Sequence, residues 1–206
     1  MRKGFTLIEL VIVIGILAIL ATVVVLVLNP AQLLAQARDA QRVSDLSSVK
    51  SAIALYMATA NAPALTASTT CTVGNTVCNG GGANPNPFTG GTMTYTSSTD
   101  VGVAGFYGTG WVGGVKFGDT AGGSALSALP IDPTNSGSYY YAYRGDSIDS
   151  TFKIMGRLES TKYQPQMATD GGTNNNCTGG GTYTQNTAGA GLANGCYFEI
   201  GTKMTL

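Results

Sequence analysis

Glu9 is the residue whose placement most demands a chemical explanation. It stands in an apolar run from Phe5 to Leu28 that holds no other charge. A carboxylate at the middle of a bilayer costs on the order of 3 kcal/mol, and it is tolerated near the headgroups or beside an opposite charge. The other reactive candidates lie far away. Four cysteines stand at 71, 78, 177 and 196, without a CxxC pair, and aspartates at 146, 149 and 170 punctuate turn-like segments. The chain has no histidine, which removes His-based triads and His-ligated zinc. No nucleophile–base set is evident, so an enzyme is not expected.

Each remaining group has a plain reading beside the chemical one. Asp146, Asp149 and Asp170 are candidate oxygen ligands for calcium, but they lack EF-hand spacing, and solvated turn aspartates are the favoured reading. No cofactor is expected. Arg144-Gly145-Asp146 is short enough to arise by chance and reads as a hairpin turn. Arg144, Lys153, Arg157 and Lys162 suggest a basic stripe on the outer face of a hairpin. Asp146, Asp149 and Glu159 stand near it, so a mixed surface is favoured over DNA binding. The eleven basic and eleven acidic residues balance, which gives no whole-chain signal for nucleic acid. Four cysteines allow three pairings. Cys71–Cys78 and Cys177–Cys196 are favoured because each closes a local turn-rich loop, and free buried thiols are the alternative.

The elements that must position these groups follow from pattern. Residues 5–28, as a helix, rise about 36 Å, enough to cross a bilayer. Arg2 and Lys3 precede the run and no charge follows until Arg38, so the N-terminus is expected in the cytoplasm. The segment ahead of the run is too short for an ordinary secretory leader. Asn29-Pro30 is expected to kink the helix. Residues 29–60 continue it as an amphipathic helix, with Val43, Leu46, Val49, Ile53 and Tyr56 on the docked face. Arg38, Asp39, Arg42, Asp45 and Lys50 are assigned to its remaining surface. The helix is expected to stop at Asn61-Ala62-Pro63.

Residues 61–206 read as a β-rich, turn-rich head. Strands are expected over Thr92–Tyr95, over Gly102–Tyr107, over Trp111–Phe117 and over 196–201. The clearest hairpin joins 138–143 to 152–158. In it Tyr139, Tyr141 and Tyr143 share one face, as do Phe152, Ile154 and Leu158. The fold class is α+β: a long N-terminal helix packed on a small antiparallel sheet with long loops.

The stretch RKGFTLIEL, followed by an uninterrupted apolar run and an amphipathic helix, resembles the class III signal of type IV pilins and pseudopilins. That resemblance covers roughly the first 60 residues. It implies that a prepilin peptidase cuts between Gly4 and Phe5, leaving 1–4 as a leader, and N-methylates Phe5. It further implies polymerisation into a helical filament, driven by an assembly ATPase and an inner-membrane platform protein. Before assembly the chain is a single-pass protein in membrane lipid. Afterwards it lies in an extracellular pilus or a periplasmic pseudopilus. The new α-amine on Phe5, with a reference pKa of about 8, is largely cationic at neutral pH. Positions 5 and 9 would lie one turn apart on a helix face. The amine of an incoming subunit would pair with Glu9 of its neighbour and set the axial stagger.

The run departs from the family in one respect. Members often carry a proline inside it, whereas here Pro30 falls at its end and Gly15 is the flexible residue within. A weaker resemblance joins LPIDPTNSGSYYYAY, at 129–143, to the Asp-Pro…Tyr-x-Tyr segment of the major pseudopilin of type II secretion. Thr134 and Asn135 replace the usual tryptophan and glycine. A Cys177–Cys196 bridge would resemble the C-terminal disulfide loop of many pilins. Three readings follow: a pilus subunit, a pseudopilin of a secretion or competence system, or a membrane-anchored binding module that never polymerises.

Overall fold

A computed structural model of the chain describes residues 4–60, 63, 65, 69–72, 88, 94–95, 110–136, 139–171 and 196–203. Helix α1 (Leu7–Leu28) is apolar apart from Glu9 and Thr22, and the window Leu7–Val25 has a mean hydropathy of 3.0 with none of it buried. It is one helix long and apolar enough to cross a membrane. Helix α2 (Pro30–Thr59) follows after a single residue.

The junction differs from the expected kink. Asn29 adopts φ 40°, the left-handed conformation, and so ends α1. Asparagine visits this region more readily than most residues because its short side chain bonds locally. Its Oδ1 accepts a hydrogen bond from Gln32 N at 3.4 Å, so it also caps α2. Pro30 then opens α2 at a position where a missing N–H costs nothing. The proline starts a helix here; it does not bend one.

Five strands form one sheet: β1 (Thr69–Cys71), β2 (Thr94–Tyr95), β3 (Ala142–Asp146), β4 (Thr151–Gly156) and β5 (Phe198–Gly201). Their order is β2-β1-β3-β4-β5. Four strands are antiparallel neighbours, and β2 adds to β1 in parallel. The sheet is therefore mixed at that edge, where the sequence pattern predicts an antiparallel one. The β3–β4 hairpin forms with Tyr143 opposite Ile154, but β3 begins four residues later than expected. As a result Arg144-Gly145-Asp146 lies in β3, and the turn is made by residues 147–150. Ser150 supplies a φ of 51° there, and Asp146 Oδ1 accepts from Ile148 N at 2.9 Å.

Side chains alternate across the strands, and both faces of this sheet are covered. Tyr141, Tyr143, Phe152 and Ile154 pack on Leu46, Val49, Ile53 and Tyr56 of α2. The opposite face carries Cys71, Ala142 and Met155 with Phe88, Tyr140 and Tyr197. Trp111, Val112, Val115 and Phe117 also join the α2 core, but not as the expected strand. Gly114, at φ 77°, turns the chain between them, so all four side chains are buried where strand alternation would send Val112 to the opposite face. The segment ends in a 3-10 turn, Phe117–Asp119. The strand expected over Gly102–Tyr107 lies outside the described residues.

Gly201 marks the closest approach of β5 to β4. A Cβ there would collide with the Phe152 carbonyl oxygen and stand 2.9 Å from Lys153 Cα, both backbone. Gly201→Ala is expected to lower stability by about 1–3 kcal/mol, as overpacking does. Chemical denaturation of the purified chain in detergent reads this directly, and an unchanged midpoint would contradict the close approach.

Candidate functional site

The N-terminal candidates are held by a local device. Thr6 is the N-cap of α1, with extended backbone (φ −78°, ψ 151°). Its hydroxyl accepts from Glu9 N at 3.3 Å. Glu9 Oε2 in turn accepts from Thr6 N and from Thr6 Oγ1, each at 2.9 Å. This capping box satisfies two helix donors that would otherwise lack partners. It also puts an anion at the positive end of the helix dipole. Glu9 is thus compensated within its own chain, before any neighbour is present.

The same cap fixes where the helix begins. Gly4, Phe5 and Thr6 are not helical, and Phe5 is 87% exposed. Phe5 and Glu9 therefore do not share a helix face in this structure, because Thr6 takes the capping position between them. The Gly4–Phe5 peptide is left as accessible, non-helical backbone.

On α2, two residues that the sequence pattern assigns to the surface lie elsewhere. Asp39 and Arg42 are fully buried on α2. They extend the stripe Leu46, Val49, Ile53, Tyr56 backward at the same three- and four-residue spacing. Val43, expected in that stripe, is only half-buried. The Arg42 Nε and Nη2 donate to the two oxygens of Asp132 at 2.7 and 3.0 Å. Its Nη2 also donates to Thr134 Oγ1 at 3.0 Å. Its Nη1 meets Asp39 Oδ1 at 2.9 Å and Glu159 Oε1 at 2.5 Å. The Tyr139 ring lies 5.0 Å away, within cation–π range.

Each carboxylate in this cluster also organises backbone. Asp132 Oδ1 accepts from Thr134 N and Asn135 N, at 2.8 and 3.1 Å, and so shapes the turn after Pro133. Asp39 accepts from Glu159 N, from Ser160 N and from Ser160 Oγ, the last two at 2.7 and 2.6 Å. Arg38 forks onto Glu159 with Nε at 3.0 Å and Nη2 at 2.5 Å. Burial pushes the Glu159 carboxyl upward, but the bonds from Arg38 and Arg42 outweigh it and hold it below the ordinary glutamate range. Nearby, Tyr141 donates to Asp45 at 2.9 Å, and burial with that carboxylate drives the phenol well upward.

The other sequence candidates separate. Asp146 and Asp149 face Lys203, whose Nζ stands 3.9 and 2.5 Å from them. Asp170 instead accepts from Glu199 N at 2.6 Å. Among the described residues, no group of three or more His, Cys, Asp or Glu side chains is arranged to hold a metal. Lys153 is not part of an outer basic stripe: it is buried and paired with buried Glu199 at 2.9 Å. Arg157 lies over the Tyr139 ring at 5.9 Å, and Lys162 is exposed. Cys71 and Cys196 are both disulfide-bonded, so neither is a free thiol. Cys78 and Cys177 lie outside the described residues, as does the loop between Cys177 and Cys196.

Residues 1–25 match the family described as the prokaryotic N-terminal methylation motif, the class III signal of type IV pilins and pseudopilins. That span contains Gly4, Phe5, Thr6 and Glu9 and most of α1. No curated protein and no solved structure matches the chain. The motif and the apolar helix together support a pilin-like or pseudopilin protein that is anchored in a membrane before assembly.

Arg42→Met removes the cation between Asp39 and Asp132. Breaking a buried pair from one side costs about 3–5 kcal/mol, and a drop of that size is expected in denaturant unfolding of the full chain. A loss below about 1 kcal/mol would mean that the carboxylates are relieved another way. Glu159 adds a pH dependence. Its folded pKa lies below the unfolded value, so its contribution is fully present above about 4.5 and is lost as the pH falls through the lowered folded value. Glu159→Gln is expected to flatten that acid limb in thermal melts between pH 6 and 3.

Proposed function

We propose that this chain is a structural subunit of a type IV pilus-like surface filament, matured by cleavage between Gly4 and Phe5 and polymerised through α1. The observation that carries this reading is the methylation motif over residues 1–25 on a helix with no protein cover of its own. An apolar helix of this length must be solvated by lipid or by other helices. A membrane pool followed by a helical bundle supplies each in turn. Residues 1–4 are the leader, 5–28 the anchor and filament core, 29–60 the bridge to the head, and 61–206 the head.

The geometry supports a peptidase substrate. Proteolysis requires backbone that is not locked in a helix. The Thr6 cap holds the helix start beyond the Gly4–Phe5 bond. After cleavage Phe5 bears the new amine, one residue from the cap and near the Glu9 carboxylate. The amine of an incoming subunit can then compete for Glu9. Pairing between subunits compensates the anion in the apolar layer and favours one axial stagger. A prepilin peptidase, an assembly ATPase and a membrane platform protein are the partners this route needs. The subunit itself performs no catalysis.

The disulfides are assigned as Cys71–Cys78 and Cys177–Cys196. The alternative assembly is a short periplasmic pseudopilus of a secretion or competence system. The Asp132-Pro133 segment favours keeping it, since this is the part of the chain that resembles a secretion pseudopilin.

Two measurements test the reading. Mass spectrometry of the mature N-terminus is expected to find N-methylated Phe5, and an intact Met1 would reject processing. Glu9→Val is expected to leave processing at Phe5 unchanged while surface filaments disappear from electron micrographs. Normal filaments from Glu9→Val would remove the charge-pairing step.

A further inference from the structure

The position of one turn relative to the membrane span can be worked out from the charges that bound the span. Glu9 is the last charge before the apolar run proper, and Asn29 is the first polar break after it. From Leu10 to Leu28 a helix rises about 28 Å, against about 30 Å of hydrocarbon in a bilayer. A register with Glu9 at one boundary and Asn29 at the other leaves no charge in hydrocarbon. Beyond Asn29 the headgroup layer is roughly 5–7 Å deep. Gln32 lies three residues past Asn29, or about 5 Å at helical rise, and so falls inside that layer. Leu33 and Leu34, 49% and 62% exposed, continue the apolar surface just past the break.

The sheet returns to this level. Strand β4 runs back along α2: Gly156 abuts Leu46, Glu159 and Ser160 bind Asp39, and Thr161 binds Gln32. Thr161 N and Oγ1 both point at Gln32 Oε1, at 3.3 and 3.4 Å. The turn that starts there therefore sits at the depth of the headgroups. Its exposed residues suit that place. Lys162 is exposed, with its ammonium 5.4 Å from the centre of the half-exposed Tyr163 ring. Tyrosine and lysine are the residues that membrane interfaces favour. Glu159, just before this turn, is tied to Arg38 and Arg42, and within Thr161–Gln164 the charged side chain is the exposed Lys162.

We propose that the turn Thr161–Gln164 is a lipid-docking surface that seats the head on the bilayer before polymerisation. Lys162 binds phospholipid phosphates, and Tyr163 lies among the headgroups. The proposal goes beyond the filament reading and rests on only one part of it, that α1 spans a membrane. The buried Arg42 cluster gives the turn a fixed height on α2, so seating also limits the tilt of the head at Asn29. Release from the lipid surface then accompanies entry into the filament.

The test uses the full-length chain in nanodiscs of phosphatidylethanolamine and phosphatidylglycerol. The single native tryptophan, Trp111, is buried and provides a constant background. Three variants each add one reporter: Leu17→Trp in the span, Tyr163→Trp in the turn and Ile148→Trp at the far hairpin tip, where Ile148 is 91% exposed. Quenching is read with spin labels on the headgroup or deep on the acyl chain. Leu17→Trp is expected to be quenched by the deep label, Tyr163→Trp by the headgroup label and Ile148→Trp by neither. Adding Lys162→Glu to Tyr163→Trp is expected to cut the headgroup quenching at least twofold. Gln166→Trp, at an exposed position just beyond the turn, is a second reporter if the Tyr163→Trp change disturbs the fold.

Quenching of Leu17→Trp with none at 163 or 166 would overturn the docking surface while leaving the span intact. Absence of quenching at Leu17 would overturn the span, and the docking surface with it. Equal headgroup quenching at 148 and 163 would show a head that lies on the membrane without a preferred face, which also overturns the proposal.

Discussion

The arrangement of the described structure depends on neutralising one buried cation. Arg42 sits on the face of α2 that packs against the sheet, where an unpaired guanidinium would carry a large desolvation cost. Three carboxylates from three parts of the chain answer it: Asp39 from the same helix, Asp132 from the turn before β3 and Glu159 from beyond the end of β4. Asp39 and Asp132 then use their remaining lone pairs on backbone N–H groups of the turns they abut or belong to. The network therefore does more than balance charge. It sets the height of two turns on the helix, and a hydrophobic contact alone would let those turns slide by a residue. Buried ion pairs rarely add net stability over an apolar replacement, but they can fix register. Here the register fixed is that of the sheet on α2.

That register links the sheet to the membrane segment. Between Asp39, the first cluster residue on α2, and α1 stand roughly two and a half helical turns and the left-handed Asn29. Asn29 is the one residue between the two helices that is non-helical. Any reorientation between span and head is therefore most easily absorbed there, since α2 is locked to the sheet from Asp39 onward. The lack of proline within α1 fits the same division: α1 stays a continuous apolar rod, and the break is placed at its end.

The sequence exposed these features unevenly, for physical reasons. The span, its basic flank and the place of Glu9 are local patterns, and local patterns survive without knowledge of the fold; the Thr6 cap that holds Glu9 was equally local but went unread. The stripe on α2 was legible only where it was apolar. Asp39 and Arg42 read as surface residues because charge normally marks solvent. Their spacing from Leu46 continues the stripe, and that signal, followed through polar positions, would have found them. Asp132 gave no sign of its partner, since 90 residues separate it from Arg42. The three-residue β1 was invisible for a similar reason: its ladder to β3 is set by pairing some seventy residues away. Trp111–Phe117 misled in the other direction. Its aromatic and β-branched residues suggest a strand, but Gly113 and Gly114 let it turn and bury every large apolar side chain.

On the proposed filament reading the chain has to be stable in two surroundings, and the polar groups at both ends of α1 bear on how one sequence manages it. In lipid, Glu9 has its own Thr6 and Asn29 has its own Gln32, so neither end of the span needs a partner subunit. In a filament the hydrocarbon is replaced by other helices, which are equally apolar, so the transfer of α1 carries little hydrophobic gain by itself. The balance then falls to the few polar groups that can change partners. On that proposal Glu9 exchanges its bonds from Thr6, which are already charge-assisted, for an ion pair with a cationic amine. The capping box leaves α1 complete as a monomer, and on the proposed reading a charge–charge attraction between subunits is what assembly adds.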